Sequence, residues 1–474
     1  MSVKTYQKGG IIIPIEDFIM SLFNLKPAQI CQLEIKRENN DTINAYIITN
    51  PSDNECPVCG AHLISHGHSR PKVITHALLA QHKCYIHWTP MRFKCSDSNC
   101  GKTITESNPF TFPGFQISYA TIRQIMLDLR KTHMSFKDIA EKNDVSITQV
   151  QRYFDSYVHV PRPQSLPENL GIDEIHSDMA KYGSSYLCVL VDNEKRQIFD
   201  ILPSRSKREL IKYFEQFSIE ARNKVRFVTM DMWDPYRDVA KRMFKNCEIA
   251  ADSFHVVEHL IKSFSSLRLS IMHQVEYNST SYYLLKKWSW LLTANSIELD
   301  NKKTFNHVFN RYMNHHDFLN EILAINDDLL VAYNLMKLYQ TFNKECPPEE
   351  AHSQLNMIIE SFTSADIPCY REFLVTLNNW KDEIANSFHR PLGIKQTNSF
   401  TENINSQIRT YLAIAKGTSN FERFRRRIMY CLNDNIFYST TSFLTSLKRD
   451  GKKRGTYNVS VNHNPSFKDI SSTG

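Results

Sequence analysis

Four cysteines stand in two short-spaced pairs, Cys56-Pro-Val-Cys59-Gly60 and Cys95-Ser-Asp-Ser-Asn-Cys100-Gly101. Four thiolates so spaced can hold a tetrahedral Zn²⁺, and a glycine after each pair permits the tight turn such a knuckle needs. Structural zinc is the expected occupant, set against four unrelated buried thiols, with His62, His66, His68 and Cys84 as substitute ligands. A second group is acidic. Leu170-Gly-Ile-Asp173-Glu174-Ile175 places carboxylates inside an apolar run, where an unpaired charge is costly, and Phe227-Val-Thr-Met230 leads straight into Asp231. If the two runs are adjacent parallel strands, Asp173 and Asp231 converge, and paired oxygen ligands suit Mg²⁺ or Mn²⁺. For either Asp alone, a cap or turn is the plainer use. The third acid, Glu402, closes Ser399-Phe-Thr-Glu402, which fits a capping box and needs no other explanation. Beside it, however, Arg409, Arg423, Arg425 and Arg426 make a basic neighbourhood suited to a phosphate backbone.

Positioning these groups takes several kinds of element. Leu170–Ile175, Ser185–Val191, Gln197–Leu202 and Lys224–Met230 are short, rich in Ile, Val, Leu and Phe, and bounded by turn residues, as strands are. Between the last two, Leu210, Ile211, Phe214 and Phe217 have the spacing of one helical face over Ser206–Ile219. Residues 255–390 carry amphipathic runs such as Tyr282–Leu292 and Leu329–Tyr339 and predict an all-helical block. Upstream, residues 117–157 show helical periodicity in three pieces, broken at His133-Met134 and Asn143-Asp144. Capping boxes at Ser135…Asp138 and Ser146…Gln149 start the second and third pieces. Ile139, Ala140, Val145, Ile147, Val150 and Phe154 then form an inner face, and Thr148, Gln149, Gln151 and Arg152 point outward. This is the pattern of a DNA-reading helix-turn-helix, with an ordinary three-helix bundle as the plainer alternative. Pro161, Pro163 and Pro167 mark an extended linker after it.

Of the 474 residues 42% are hydrophobic and 23% charged, which fits a globular protein of about three domains and excludes disordered, collagen-like and disulfide-dense classes. Lys and Arg number 57 against 50 Asp and Glu, a basic excess that permits a polyanionic partner without requiring one. The greasiest early stretch, residues 11–25, contains Pro14, Glu16 and Asp17, so no membrane span is expected. It also lacks the features of a secretory signal, which places the eleven cysteines in a reducing, cytoplasmic setting where metal outranks disulfides. From about Ser446 the composition is that of a polar, basic, flexible tail.

Taken in order, these pieces resemble the DDE transposases of bacterial insertion sequences, most closely the IS-L-three family. The resemblance rests on the Cys-Pro-x-Cys-Gly knuckle, the helix-turn-helix, Gly171-Ile-Asp173-Glu-Ile175 and Met230-Asp231-Met-Trp-Asp-Pro-Tyr236. It continues through Ala251-Asp252-Ser-Phe-His255-Val-Val257 and Asn398-Ser-Phe-Thr-Glu402-Asn-Ile-Asn405, and Asn403 stands where the family usually carries glycine. Together with the residue reading it implies a multidomain α+β protein. An N-terminal segment (1–50), a zinc-binding module (51–110) and a helix-turn-helix domain (115–160) come first. A ribonuclease-H-like α/β catalytic domain (168–260 and 391–440) is split by an all-helical insertion (261–390), and the flexible tail (441–474) follows.

The resemblance implies Asp173, Asp231 and Glu402 as a catalytic triad holding Mg²⁺ or Mn²⁺, with Asp252 and His255 auxiliary. Zn²⁺ is expected on Cys56, Cys59, Cys95 and Cys100. DNA contacts are expected from Thr148, Gln149, Gln151 and Arg152 and from Arg409, Arg423, Arg425 and Arg426. The expected activity is binding of the terminal inverted repeats of the chain's own element, cleavage at its ends and joining of the freed 3′-hydroxyls to target double-stranded DNA. A homodimer or larger assembly, associated with the nucleoid, would carry it out without a covalent protein–DNA intermediate. The rival reading is a domesticated regulator that uses only the zinc and helix-turn-helix modules. Trp233, Trp288 and Trp290 are expected to pack in cores, with stacking on unpaired or flipped bases as the alternative. Glu422 is the substitute if Glu402 only caps.

Overall fold

Period-two burial along β2 (Thr42–Thr49) and β5 (His82–Trp88) covers Ala45, Ile47, Cys84, Ile86 and Trp88, and the two strands pair in parallel. Outside them β1 (Ile30–Glu38) and β4 (Lys72–Leu79) add antiparallel edges, giving the order β1-β2-β5-β4. The computed structural model describes residues 22–38, 41–50, 55–294, 302–390, 398–415 and 419–439. The expected tail (441–474) and residues 1–21 of the N-terminal segment lie outside the described residues.

The described residues form two units, one of residues 22–128, 136–159 and 436–439, the other of residues 129–135 and 160–435. In the first unit the expected division at residue 50 is corrected, because β1 and β2 belong to the same sheet as β4 and β5. Backbone pairing across residues far apart in sequence overrides the composition change there. A separate sheet, ordered β3-β6-β7, is built from β3 (Leu63–His68), β6 (Met91–Cys95) and β7 (Thr103–Thr105). Three helices follow as expected, α1 (Tyr119–Asp128), α2 (Phe136–Lys142) and α3 (Ile147–Tyr157).

The second unit centres on a five-stranded sheet, ordered β10-β9-β8-β11-β12. Its strands are β8 (Asn169–His176), β9 (Tyr186–Asp192), β10 (Gln197–Leu202), β11 (Phe227–Met230) and β12 (Glu248–Ala251). The β8–β9 and β9–β10 pairs are antiparallel, whereas β8–β11 and β11–β12 are parallel. At Gly171 a Cβ would sit 2.5 Å from Val191 Cγ2, so only glycine lets β9 lie this close. The helix expected over Ser206–Ile219 is broken into α4 (Lys207–Phe214) and α5 (Ile219–Asn223), because Ser218 caps a new start by accepting from the Ala221 amide. With α6 (Asp234–Met243), α4 covers one sheet face through Leu210, Phe214, Tyr236, Val239 and Ala240.

The inserted block begins with α7 (Ser253–Gln274), a single helix that crosses the expected boundary at residue 260. It continues through α8 (Thr280–Lys287), α9 (Trp290–Thr293), α10 (His315–Leu323) and α11 (Asp327–Glu345). Next come α12 (Ala351–Ala365), α13 (Arg371–Asn379) and α14 (Lys381–Asn386), around a core that includes Leu260, Phe264, Leu285, Met336 and Phe373. The block is not all-helical, which corrects the expectation. A hairpin of β13 (Thr304–Asn306) and β14 (Arg311–Met313) interrupts it, set by Asn306 Oδ1 accepting the Val308 and Phe309 amides and by Asn310 at φ +50°. Trp288 stacks on Phe318 at 4.0 Å within this block, and Trp290 is half exposed. Finally α15 (Ser399–Ile414) packs on β8 and β9, and α16 (Phe421–Leu432) packs on β10. No described helix is long and apolar enough to cross a membrane.

Candidate functional site

Parallel pairing places Met230 opposite Ile172, so Asp231, just past β11, comes level with Asp173 of β8. Asp173 is buried, and its oxygens accept from the Glu174 amide (2.6 Å) and from Asn405 Nδ2 (2.7 Å). Asp231 Oδ1 lies 3.0 Å from His255 Nε2. From the next strand, β12, the chain turns at buried Asp252, which caps α7 by accepting from the Phe254 amide (3.4 Å). Three neighbouring strands therefore each deliver a carboxylate to one place. Ligand atoms of Asp231, Asp252 and His255 all lie within 4.8 Å of one another, a spacing one metal ion can span.

Glu402 enters from α15. The capping box expected at Ser399 and Glu402 is corrected, since the cap position is Asn398, one residue earlier, and Asn398 makes no side-chain cap bond. Asn398 Nδ2 instead reaches the Ile172 carbonyl (3.4 Å) and Asp231 Oδ1 (3.5 Å), and its amide reaches Asp252 Oδ1 (3.4 Å). Residues 398, 402 and 405 share one helical face, and the first and last of them bond to the acid-bearing strands. Glu402 stands on this face between them, but neither it nor Asp173 belongs to the metal-spaced group of Asp231, Asp252 and His255. The Glu402 carboxylate has no ion pair or hydrogen-bond partner among the described residues. Asn398 and Asn405 are site residues to which the sequence alone assigned no role; their i, i+4, i+7 spacing around Glu402 was the available signal.

Burial, reinforced by the charge of Asp231, pushes the Asp173 carboxyl up to about 7. Burial also raises Asp252, and the hydrogen bond to Asp231 lifts His255 to about 9. Around the acids, buried Asp252 Oδ2, Asn398 Oδ1, Thr401 Oγ1 and Asn405 Oδ1 have no hydrogen-bond partner among the described residues. Unpaired buried acceptors beside clustered carboxylates fit a hard divalent cation such as Mg²⁺ or Mn²⁺.

One pH dependence follows. Asp173 and His255 are both raised above their ordinary values, so the metal-free fold binds these protons more tightly than the unfolded chain does. That stabilisation is complete below the ordinary values and is lost as pH rises through about 7 for Asp173 and about 9 for His255. Thermal melting in chelator should therefore decline from weakly acidic to alkaline pH, and saturating Mg²⁺ should flatten the decline. Melting that rises with pH in chelator would contradict this electrostatic account.

Glu174, next to Asp173 but on the other face of β8, pairs with Arg205 and accepts from Tyr236 Oη (2.8 Å). The Arg205 guanidinium lies 3.9 Å from the Tyr186 ring centre and 4.4 Å from that of Trp233, which occupies Trp233 within the protein. The basic run on α16 is corrected in part. Arg425 is buried and ion-paired with Asp200 of β10, so it is a structural counter-charge rather than a DNA contact. Arg423 and Arg426 are half-buried, and Arg409 on α15 is exposed. Glu422 pairs with Arg425 at 3.2 Å, on a helix that packs against the β10 edge, two strands away from β8.

In the first unit the four knuckle thiols close together, with Cys59 Sγ 3.4 Å from Cys95 Sγ and Cys56 Sγ 3.9 Å from Cys100 Sγ. Zn–S bonds of about 2.3 Å in a tetrahedron put sulfurs about 3.8 Å apart, so the set fits zinc. Gly60 (φ +75°) and Gly101 (φ +53°) make the left-handed turns after each pair. The Val58 and Cys59 amides pull the Cys56 thiol down to about 7, whereas burial pushes the Cys95 thiol up to about 12, so the metal-free cluster is not uniformly poised as thiolate. His62, His66 and His68 are exposed and Cys84 lies in the other sheet's core, so none of the substitute ligands joins the cluster.

The α2–α3 turn is made by Asp144 at φ +53°, held by Lys83 Nζ (2.6 Å) and by the Tyr85 hydroxyl from β5. Ser146 and Gln149 form the expected capping box, and Ile139, Ala140, Val150 and Phe154 are buried. Ile147, expected inside, is 42% exposed, because it opens α3 before the helix turns inward. Thr148 and Arg152 are exposed, whereas Gln149 and Gln151 are half-buried. Gln149 Oε1 is engaged by the Ser146 amide (2.9 Å) and hydroxyl (3.1 Å).

Comparison with known proteins agrees with this arrangement. Residues 170–428, which contain all four acids, match a family described as transposase, and residues 106–158 match the helix-turn-helix domain of transposase family ISL3. The transposase for insertion sequence element IS1001 of Bordetella parapertussis is 26% identical over 247 residues, which cover 52% of this chain and 57% of that relative. With a transposase match over more than half its length and the family's own helix-turn-helix ahead of it, the chain belongs to the ISL3 family of transposases.

Proposed function

We propose that this chain binds the ends of its own insertion element, cleaves the strands there and joins the freed 3′-hydroxyls to target DNA, with Asp173, Asp231 and Glu402 as the catalytic acids. The observation that carries the reading is the convergence of Asp173 and Asp231 from adjacent parallel strands beneath the α15 face that bears Glu402. Three antiparallel strands continued by two parallel ones also support a ribonuclease-H-like catalytic domain. Divalent cations bound there would activate a water or 3′-hydroxyl as nucleophile and stabilise the departing 3′ oxygen. Asp173, Asp231 and Glu402 would hold them, Asn405 would keep Asp173 oriented, and Asp252 with His255 would support Asp231 from the side. The thiol cluster would hold structural zinc. Thr148 and Arg152 would face the DNA groove, with Gln149 joining them only by leaving its cap.

The test is incubation of the full chain and Mg²⁺ with a duplex that carries the element's end. Nicks leaving 3′-hydroxyls at the element boundary are expected. End binding without cleavage in either Mg²⁺ or Mn²⁺ would replace this reading with the regulator.

A further inference from the structure

On β6 the side chains of Phe93 and Cys95 face the small ribbon core, so alternation sends Arg92 and Lys94 to the opposite face. Strand register sets Ile64 and Thr103 beside Lys94 and Thr105 beside Arg92, with no acid at any of these places. Lys102 opens the approach to β7, and Arg70 follows β3. Among the described residues, Arg70, Arg92, Lys94 and Lys102 make no ion pair. Elsewhere in the same unit several cations are matched, Lys36 with Glu34, Lys83 with Asp144, Lys137 with Glu141 and Lys142 with Asp128, while Arg123 and Arg152 of the helix-turn-helix make no ion pair among the described residues. Of the nearest acids, Asp97 is turned into its knuckle, where it accepts from the Asn99 amide (2.8 Å), and Glu106, next to Thr105, is engaged by the Met91 amide (3.0 Å) and the Thr49 hydroxyl. Arginine and lysine flanked by threonine hydroxyls, with no acid between them, offer the donors that phosphate oxygens accept.

We propose that this outward face of the ribbon is a second DNA contact, gripping the sugar-phosphate backbone without reading sequence; the inference rests on the DNA-binding reading above. The closing experiment measures binding of the zinc-loaded full chain to a mixed-sequence duplex over a range of salt. Arg92→Gln combined with Lys94→Gln should weaken binding by about tenfold at low salt and lower the salt-dependence slope by about 2, one for each phosphate no longer neutralised. Zinc content should be unchanged, since both side chains point away from the thiols. A zinc-loaded double variant with wild-type affinity and slope would overturn the proposal, and a weakening by Arg152→Ala alongside it would leave the helix-turn-helix reading standing. A wild-type chain that does not bind the duplex would remove the DNA-binding reading and this inference with it.

Discussion

Asp231→Asn should abolish cleavage and strand transfer, with a loss of at least about a thousandfold, roughly 4 kcal/mol of barrier. The amide keeps the size of the side chain but removes a negative charge at the point where the sheet gathers its acids and where His255 and Asn398 also reach. Asp173→Asn and Glu402→Gln should behave alike. Binding to the element's ends should persist in all three, because the ribbon and helix-turn-helix belong to the other unit. Cleavage and binding assays run side by side check this. Glu402→Gln is the sharpest case, because Asn398 rather than Ser399 occupies its helix cap and the expected capping box does not account for the residue. If that variant kept near-normal cleavage in Mg²⁺, the third acid would have to be sought elsewhere. Buried Asp252 would then come before Glu422, which Arg425 already engages.

Removing zinc should unfold the ribbon while leaving the second unit's melting unchanged. The fully buried apolar core of the ribbon is only Cys56, Leu63, Phe93 and Cys95, too little to order three strands. Structural zinc contributes apparent binding free energies of about 10–16 kcal/mol at neutral pH. Protein purified without chelator should carry about one zinc per chain, and Cys59→Ser should lose it together with one thermal transition. Elemental analysis that finds no zinc in the wild-type chain would defeat the assignment. Loss of zinc without loss of ribbon structure would mean that the metal is bound but not structural.

Where local pattern carried the information, the reading and the fold agree closely. Gln197–Leu202 was legible as a strand to the residue, and the breaks at Asn143-Asp144 and Ser146 were legible because turn and cap chemistry is local. The hairpin at β13 and β14 was not, since strands this short carry too few residues for a period to appear. The cap of α15 was displaced by one residue, because Asn398 bonds to Ile172 and Asp231 across the fold and a hydroxyl-to-glutamate spacing says nothing about that.

By itself the sequence determined which side chains can do chemistry: four thiols at knuckle spacing, acids inside or at the end of apolar strands, and a capped helix with an outward polar face. Only the tertiary structure decided which of them meet. Register placed Asp231 beside Asp173, buried Asp200 drew Arg425 out of the basic face, and pairing of β2 with β5 joined segments that composition separates. The physical reason is range. Periodicity, caps and turns act over a few residues, whereas a buried charge takes whichever counter-charge the packed chain brings to it, and at Asp200 that is an arginine 225 residues away.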